Sequence, residues 1–138
     1  MYIVSVCALH TLRLLPLVGP HQTLANGGFR YLHEMDKLIV QLPIDASTDF
    51  DGLIEIEETL MRALSTNRGA EVDGHDIGQG KFNVFIHLRK GWEPALTQVT
   101  EALDELELLP RALVAKFYGA TESYEVVRPD SFTGTFTL

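Results

Sequence analysis

Val72-Asp73-Gly74-His75-Asp76-Ile77-Gly78-Gln79-Gly80, running into Lys81-Phe82-Asn83-Val84-Phe85-Ile86-His87-Leu88, is the stretch whose reading decides the fold. Its first nine residues combine Gly74, Gly78 and Gly80 with Asp73, Asp76 and His75. The next eight place apolar side chains at every second position. Glycine-rich punctuation followed by a two-residue period predicts a β-hairpin, with strands near 70–77 and 81–88 and polar chemistry in its first strand and turn.

Strand parity extends the reading to faces, because successive side chains point to opposite sides of a sheet. Phe82, Val84, Ile86 and Leu88 are expected to face the core, and Asn83, Phe85 and His87 to face away. Unbroken alternation from an inward Val72 puts Gly74 and Asp76 inward, and Asp73 and His75 outward. Inward residues then match across the hairpin only if a three-residue Gly78-Gln79-Gly80 loop sets Ile77 opposite Lys81, with glycine at the positive-φ position. Two clusters follow. Outward, His75 lies opposite Asn83, Asp73 opposite Phe85, and His87 beside Glu71. Inward, Asp76 sits at the hairpin mouth.

Upstream, Leu38-Ile39-Val40-Gln41-Leu42-Pro43-Ile44 is β-branched and alternating, and predicts a strand ending near Pro43. Ser47, Thr48 and Asp49 offer N-caps for a helix reaching about Ser65, which Asn67-Arg68-Gly69 ends. Phe50, Leu53, Ile54, Leu60, Met61 and Leu64 form its apolar stripe, with Glu57 in the centre. A carboxylate there must find a donor or a cation, and the backbone N–H groups of the Gly-rich turn are the expected partner. Downstream, Glu93-Pro94 opens a second helix through about Leu106, carrying Ala95, Leu96, Val99, Ala102, Leu103 and Leu106 on one side. Leu113 to Tyr118 reads as another strand, and Tyr124 to Val127 as room for one more.

The order β-α-β-β-α-β predicts an α+β, ferredoxin-like fold: a four-stranded antiparallel sheet with two helices on one face, and an extra C-terminal strand as an option. That domain is expected over residues 35–128, with residues 129–138 as a C-terminal tail. Residues 1–34 carry Gly19, Gly27, Gly28, Pro16 and Pro20 without a sustained period. They are expected to be a poorly ordered extension, with Met35 as the true start. They lack the early basic residues and unbroken apolar core of a signal peptide.

Charge divides the chain as well. Residues 1–35 carry Arg13 and Arg30 against Glu34, whereas residues 36–138 carry nine basic and 18 acidic residues, for a formal net charge of −8 overall. So acidic a domain repels phosphate backbones, which argues against nucleic acid and in favour of a basic partner. Cys7 is the only cysteine, so no internal disulfide and no cysteine-rich zinc site is expected. No apolar run reaches the ~20 residues that span a bilayer. A cytoplasmic protein without cofactor is the expectation.

No catalytic motif is complete. Asp73, His75 and His87 offer too few ligands on one face for a metal site, and no helical HExxH spacing occurs. The serines and Cys7 have no nucleophile elbow or adjacent base. Gly78-Gln79-Gly80 lacks the Walker lysine and does not open a helix. The expected binding surface is the open sheet face, with Gln41, Asn83, Phe85, His87, Lys116 and Tyr118. That face is equally suited to a homodimer.

The run VDGHDIGQGKFNVFIH, preceded by IEIEETLMRAL, resembles a family of small uncharacterised bacterial proteins with a V-D-G-x-x-x-G-x-G hairpin motif, carried here by Asp73, Gly74, Gly78 and Gly80. The resemblance covers roughly residues 36–128. It implies the fold and the site location and brings no activity. The functional expectation is a non-enzymatic acidic interaction protein that binds a basic protein, of the immunity or antitoxin kind. Its binding residues would be Asp73, His75, Asp76, Asn83, Phe85, His87 and Glu57. The alternative is a small-molecule or cation-binding enzyme built on Glu57, Asp73, His75 and Asp76.

Overall fold

The computed structural model describes residues 35–138; the expectations for residues 1–34 and Cys7 lie outside them. Five strands and two helices follow one another: β1 (Lys37–Pro43), α1 (Phe50–Ala63), β2 (Ala70–Gly78), β3 (Lys81–Leu88), α2 (Glu93–Glu105), β4 (Leu113–Tyr118) and β5 (Ser123–Arg128). A short 3-10 turn, Leu109–Arg111, joins α2 to β4. The class is α+β, with a single five-stranded antiparallel sheet in the order β2-β3-β1-β4-β5. The four-strand count is thus corrected to five, because β5 forms a hairpin with β4 and extends the sheet.

Local chemistry explains the helix ends. Asp49 caps α1, its carboxylate accepting from the Gly52 N–H at 2.6 Å, and Asp51 favours the positive end of the helix dipole. Pro94 sits in the first turn of α2, where its missing N–H is no loss. Ala95, Leu96, Val99, Ala102 and Leu103 of α2 are all buried, as the spacing requires. In α1 the buried stripe is narrower than expected. Leu53 and Leu60 are buried and Ile56 packs against the core, whereas Phe50 and Met61, at the stripe's margins, are more than half exposed.

The core lies between the helices and one sheet face. Leu38, Val40 and Leu42 of β1 pair with Ile86, Val84 and Phe82 of β3, and all six are buried in one cluster with the helical residues and Val114. The apolar alternation of the second hairpin strand therefore points where parity places it.

The first hairpin strand does not. Val72 pairs with Ile86, but Gly74 pairs with Phe85, leaving Asp73 as an extra residue in a β-bulge. Gly74 has φ 149°, a conformation reserved in practice for glycine. Beyond the bulge every side chain changes face: His75 pairs with Val84 and Ile77 with Phe82, both turned to the helices, while Asp76 pairs with Asn83 on the opposite face. The loop is corrected accordingly. Gly78 pairs with Lys81 across the two residues Gln79 and Gly80, both with positive φ (52° and 74°), as a type I′ turn requires. The bulge supplies the one-residue offset that the longer loop was expected to supply.

Replacing Gly74 by alanine tests this directly. Holding a β-carbon at that φ is expected to lower unfolding stability by about 1–3 kcal/mol, read from urea denaturation. An unchanged midpoint would show that the bulge does not depend on glycine.

Candidate functional site

The bulge sorts the polar residues of the hairpin onto two sides of the sheet. On the helix side, Glu57 projects from the buried stripe of α1 and its Oε2 lies 2.6 Å from His75 Nδ1. His75 is 3% exposed, and its ring packs at a tilt on Phe82, 5.3 Å between centroids. Glu57 therefore finds its donor on the imidazole and not on the Gly-rich turn. A carboxylate only accepts, so the imidazole proton sits on Nδ1 and the other nitrogen, Nε2, is buried with no hydrogen-bond partner. The expectation that His75 faces outward opposite Asn83 is overturned by the parity change at Asp73.

Two further groupings lie on the outer face. Asp73 Oδ2 approaches His87 Nε2 at 2.9 Å, close enough for an ion pair but out of hydrogen-bond alignment. Burial pushes the His87 pKa down; Asp73 opposes that shift, Lys37 adds to it, and Glu71 and Arg89 act in opposite directions as the smaller influences. Phe85 lies on the same face, paired with Gly74 and Ile39, with the Lys37 ammonium 5.9 Å from its ring centre.

The second grouping is a polar row across three strands. Asp76, Asn83 and Gln41 occupy paired positions of β2, β3 and β1. Asn83 Nδ2 donates to Asp76 Oδ1 at 2.8 Å, and Gln41 Nε2 donates to Asn83 Oδ1 at 2.9 Å. Asn83 is 2% exposed and Gln41 7%, so each amide needs these partners to be held away from water. Asp76 thus points outward, a correction to the inward position at the hairpin mouth.

The outer face is also less open than expected. Residues 129–138 form no helix or strand, yet Thr137 accepts from Gln41 and Lys81, and the Phe136 ring packs on Tyr124, 5.3 Å between centroids. Lys116 and Tyr118, assigned to this face from sequence, lie on the other. Lys116 pairs with Leu38, and its ammonium stands over Trp92, at the start of α2, and over Tyr118, 5.1 and 4.3 Å from the ring centres. The registers place Leu113, Ala115 and Phe117 outward instead. Sequence reading missed Lys81, Phe136 and Thr137. Strand parity with Asn83 and Phe85 was the signal for Lys81, and the repeated Phe-Thr in Ser131 to Leu138, too short to assign to a face, the signal for the other two.

The set Glu57, Asp73, His75 and Asp76 is therefore not one cluster. The sheet lies between the Glu57–His75 pair and the two aspartates. Among the described residues no group of three or more His, Cys, Asp or Glu side chains could hold a metal ion, and no helix is long and apolar enough to cross a membrane. Comparison of the chain with protein-family models, curated proteins and solved structures returns no match. The functional reading accordingly starts from geometry.

Two outcomes check these groupings. Glu57→Ala leaves both His75 nitrogens buried without partners and is expected to lower stability by about 2–4 kcal/mol. Glu57→Gln keeps an acceptor and is expected to lower it by less than half as much; equal losses would show that the hydrogen bond is immaterial. For His87 the native state binds a proton less readily than the unfolded state. Its contribution to stability is fully present above the unfolded pKa, near 6.5, and declines as pH falls through that value toward the lower native one. The stability difference between wild type and His87→Gln should therefore move against the wild type between about pH 8 and about pH 5, measured by denaturation at each pH. A constant difference would contradict it.

Proposed function

We propose that this protein is a non-enzymatic interaction domain whose acidic helical layer engages a basic protein, on a ferredoxin-like βαββαβ scaffold extended by a fifth strand. The scaffold assignment is supported by the spatial order of the first four strands, β2-β3-β1-β4, and by their wholly antiparallel pairing.

The observation that carries the functional reading is the charge of the helices. Asp51, Glu55 and Glu58 of α1 and Glu101, Asp104 and Glu105 of α2 are exposed, and Arg62 is the single basic residue in either helix. The ion pairs among the described residues engage none of these six carboxylates. Helices packed side by side thus present one sign of charge to solvent. Such a surface accelerates encounter with an oppositely charged partner and rejects nucleic acid. A basic toxin held inactive is the partner class that this charge suits.

The competing reading, an enzyme centred on Glu57, Asp73, His75 and Asp76, loses its geometric basis. Those four groups face two different environments, and the His75 nitrogen left over for acid–base work is sealed from solvent.

The test is capture from the lysate of the protein's own host with the tagged full chain. A variant carrying Glu55→Lys, Glu58→Lys, Glu101→Lys and Glu105→Lys serves as the comparison. The wild type should retain a basic protein that the charge-reversed chain does not, and raising salt to about 0.5 M should release it, since the Debye length then falls to a few ångströms. Identical retention by both chains, or self-association alone, would overturn the proposal.

A further inference from the structure

The outer face of the sheet holds a finished acceptor site that the chain fills with its own C-terminal segment. We infer that this face is a peptide-binding surface, that residues 129–138 are its resident occupant, and that an extended Phe-Thr-containing segment of another polypeptide can take their place. This surface is separate from the acidic helices, on the opposite side of the sheet.

The receiving groups are set by the sheet itself. Asp76 accepts from Asn83 Nδ2, which leaves Asn83 Oδ1 as the acceptor for Gln41 Nε2. That bond orients the Gln41 amide, so its second N–H points out of the row and onto the Thr137 carbonyl at 2.9 Å. Lys81, on the same face at the start of β3, donates from Nζ to the same carbonyl at 2.9 Å and to Thr137 Oγ1 at 2.9 Å. Two donors from different strands thus converge on one backbone oxygen. The Gln41 amide is held by Asn83 independently of the terminal segment, and the Lys81 backbone is placed by the tight turn.

The occupant is held by side chains and one carbonyl, and not by strand pairing. Residues 129–138 pair with no strand of the sheet. Their hold on it rests on the Thr137 carbonyl and hydroxyl and on the Phe136 ring against Tyr124, which itself packs on Phe117 at 5.1 Å. Phe132 and Phe136 are half-buried, and the other residues of the segment are exposed. Its departure would uncover apolar side chains of this face, where Ile39, Ala115 and Phe117 are 1%, 0% and 5% exposed, and would leave the Gln41 N–H without its acceptor. An incoming peptide carbonyl removes that penalty, and a phenylalanine beside it restores the ring contact. Receiving groups carried by the sheet, and an occupant that adds no strand to it, let a second extended segment compete for the same place.

The experiment uses a fluorescently labelled synthetic peptide with the sequence of residues 129–138 and the full-length chain, read by fluorescence anisotropy. Phe136→Ala loosens the resident segment without touching the receiving groups, and should bind the peptide at least about ten-fold more tightly than wild type. Adding Lys81→Met, an exchange at the hairpin turn outside the core, should cost the peptide about ten-fold or more in affinity while circular dichroism and melting temperature stay close to those of Phe136→Ala. Equal peptide affinity for wild type and Phe136→Ala, binding to neither, or indifference to Lys81→Met would each overturn the inference. So would concentration-dependent dimerisation of Phe136→Ala without peptide uptake, which would assign the face to a second copy of the chain.

Discussion

A single extra residue in an edge strand governs where this protein puts its polar chemistry. At Asp73 and Gly74 the first hairpin strand takes one residue more than its partner, and from there its side chains exchange faces. The exchange turns His75 toward α1 and Asp76 toward the outer surface. It also lets a two-residue turn close the hairpin at Gly78 and Lys81. The backbone at Gly74 accepts this because no β-carbon opposes its φ. Without the bulge, alternation would turn His75 outward and Asp76 inward, and Glu57 would have no imidazole to meet it.

Both faces of the sheet then show the same rule, that a polar group kept from water must be partnered. On the helix side the Glu57 carboxylate and His75 Nδ1 partner one another in the midst of Leu, Val and Phe side chains, while His75 Nε2 stays buried without a partner. On the outer side Asp76, Asn83 and Gln41 form a row in which each member fixes the orientation of the next. The remaining donor of that row, with Lys81, finds a backbone carbonyl in the terminal segment. A pair buried against helices ties α1 to the hairpin. The row on the outer face ends instead on a backbone carbonyl of the terminal segment.

Charge follows a different division from polarity. The exposed carboxylates concentrate on the helices, where Arg62 is the single basic residue, whereas Asp73 and Glu71 of the hairpin are matched by His87 and Arg89, and the inward-facing Glu57 of α1 by His75. Acids with partners hold the structure. Acids without them are the ones available to another molecule, which is why the proposed interaction surface is the helical layer and not the hairpin.

Much of the architecture was legible in the residues. The two-residue period of Phe82 to Leu88, the cap at Asp49, the proline at position 94 and the helical spacing from Ala95 to Leu103 each specify their element through local sterics and hydrogen bonding, and those elements stand where the pattern places them. Glu57 also announced itself, because a carboxylate in an apolar stripe must have a partner. The identity of that partner was not local information. A bulge is written in the sequence only as Asp-Gly, a pair that serves turns as readily, and parity carried through it inverts the face of every following residue. The covering of the outer face was equally hidden, since a ten-residue segment without periodic pattern acquires a position only when strands distant in the chain bring Gln41 and Lys81 together to receive it. Sequence alone determined the elements and the apolar faces of β3 and α2, because those depend on neighbours along the chain. Only the tertiary structure decided which polar groups meet, because a one-residue shift in pairing register moves a side chain across the whole thickness of the sheet.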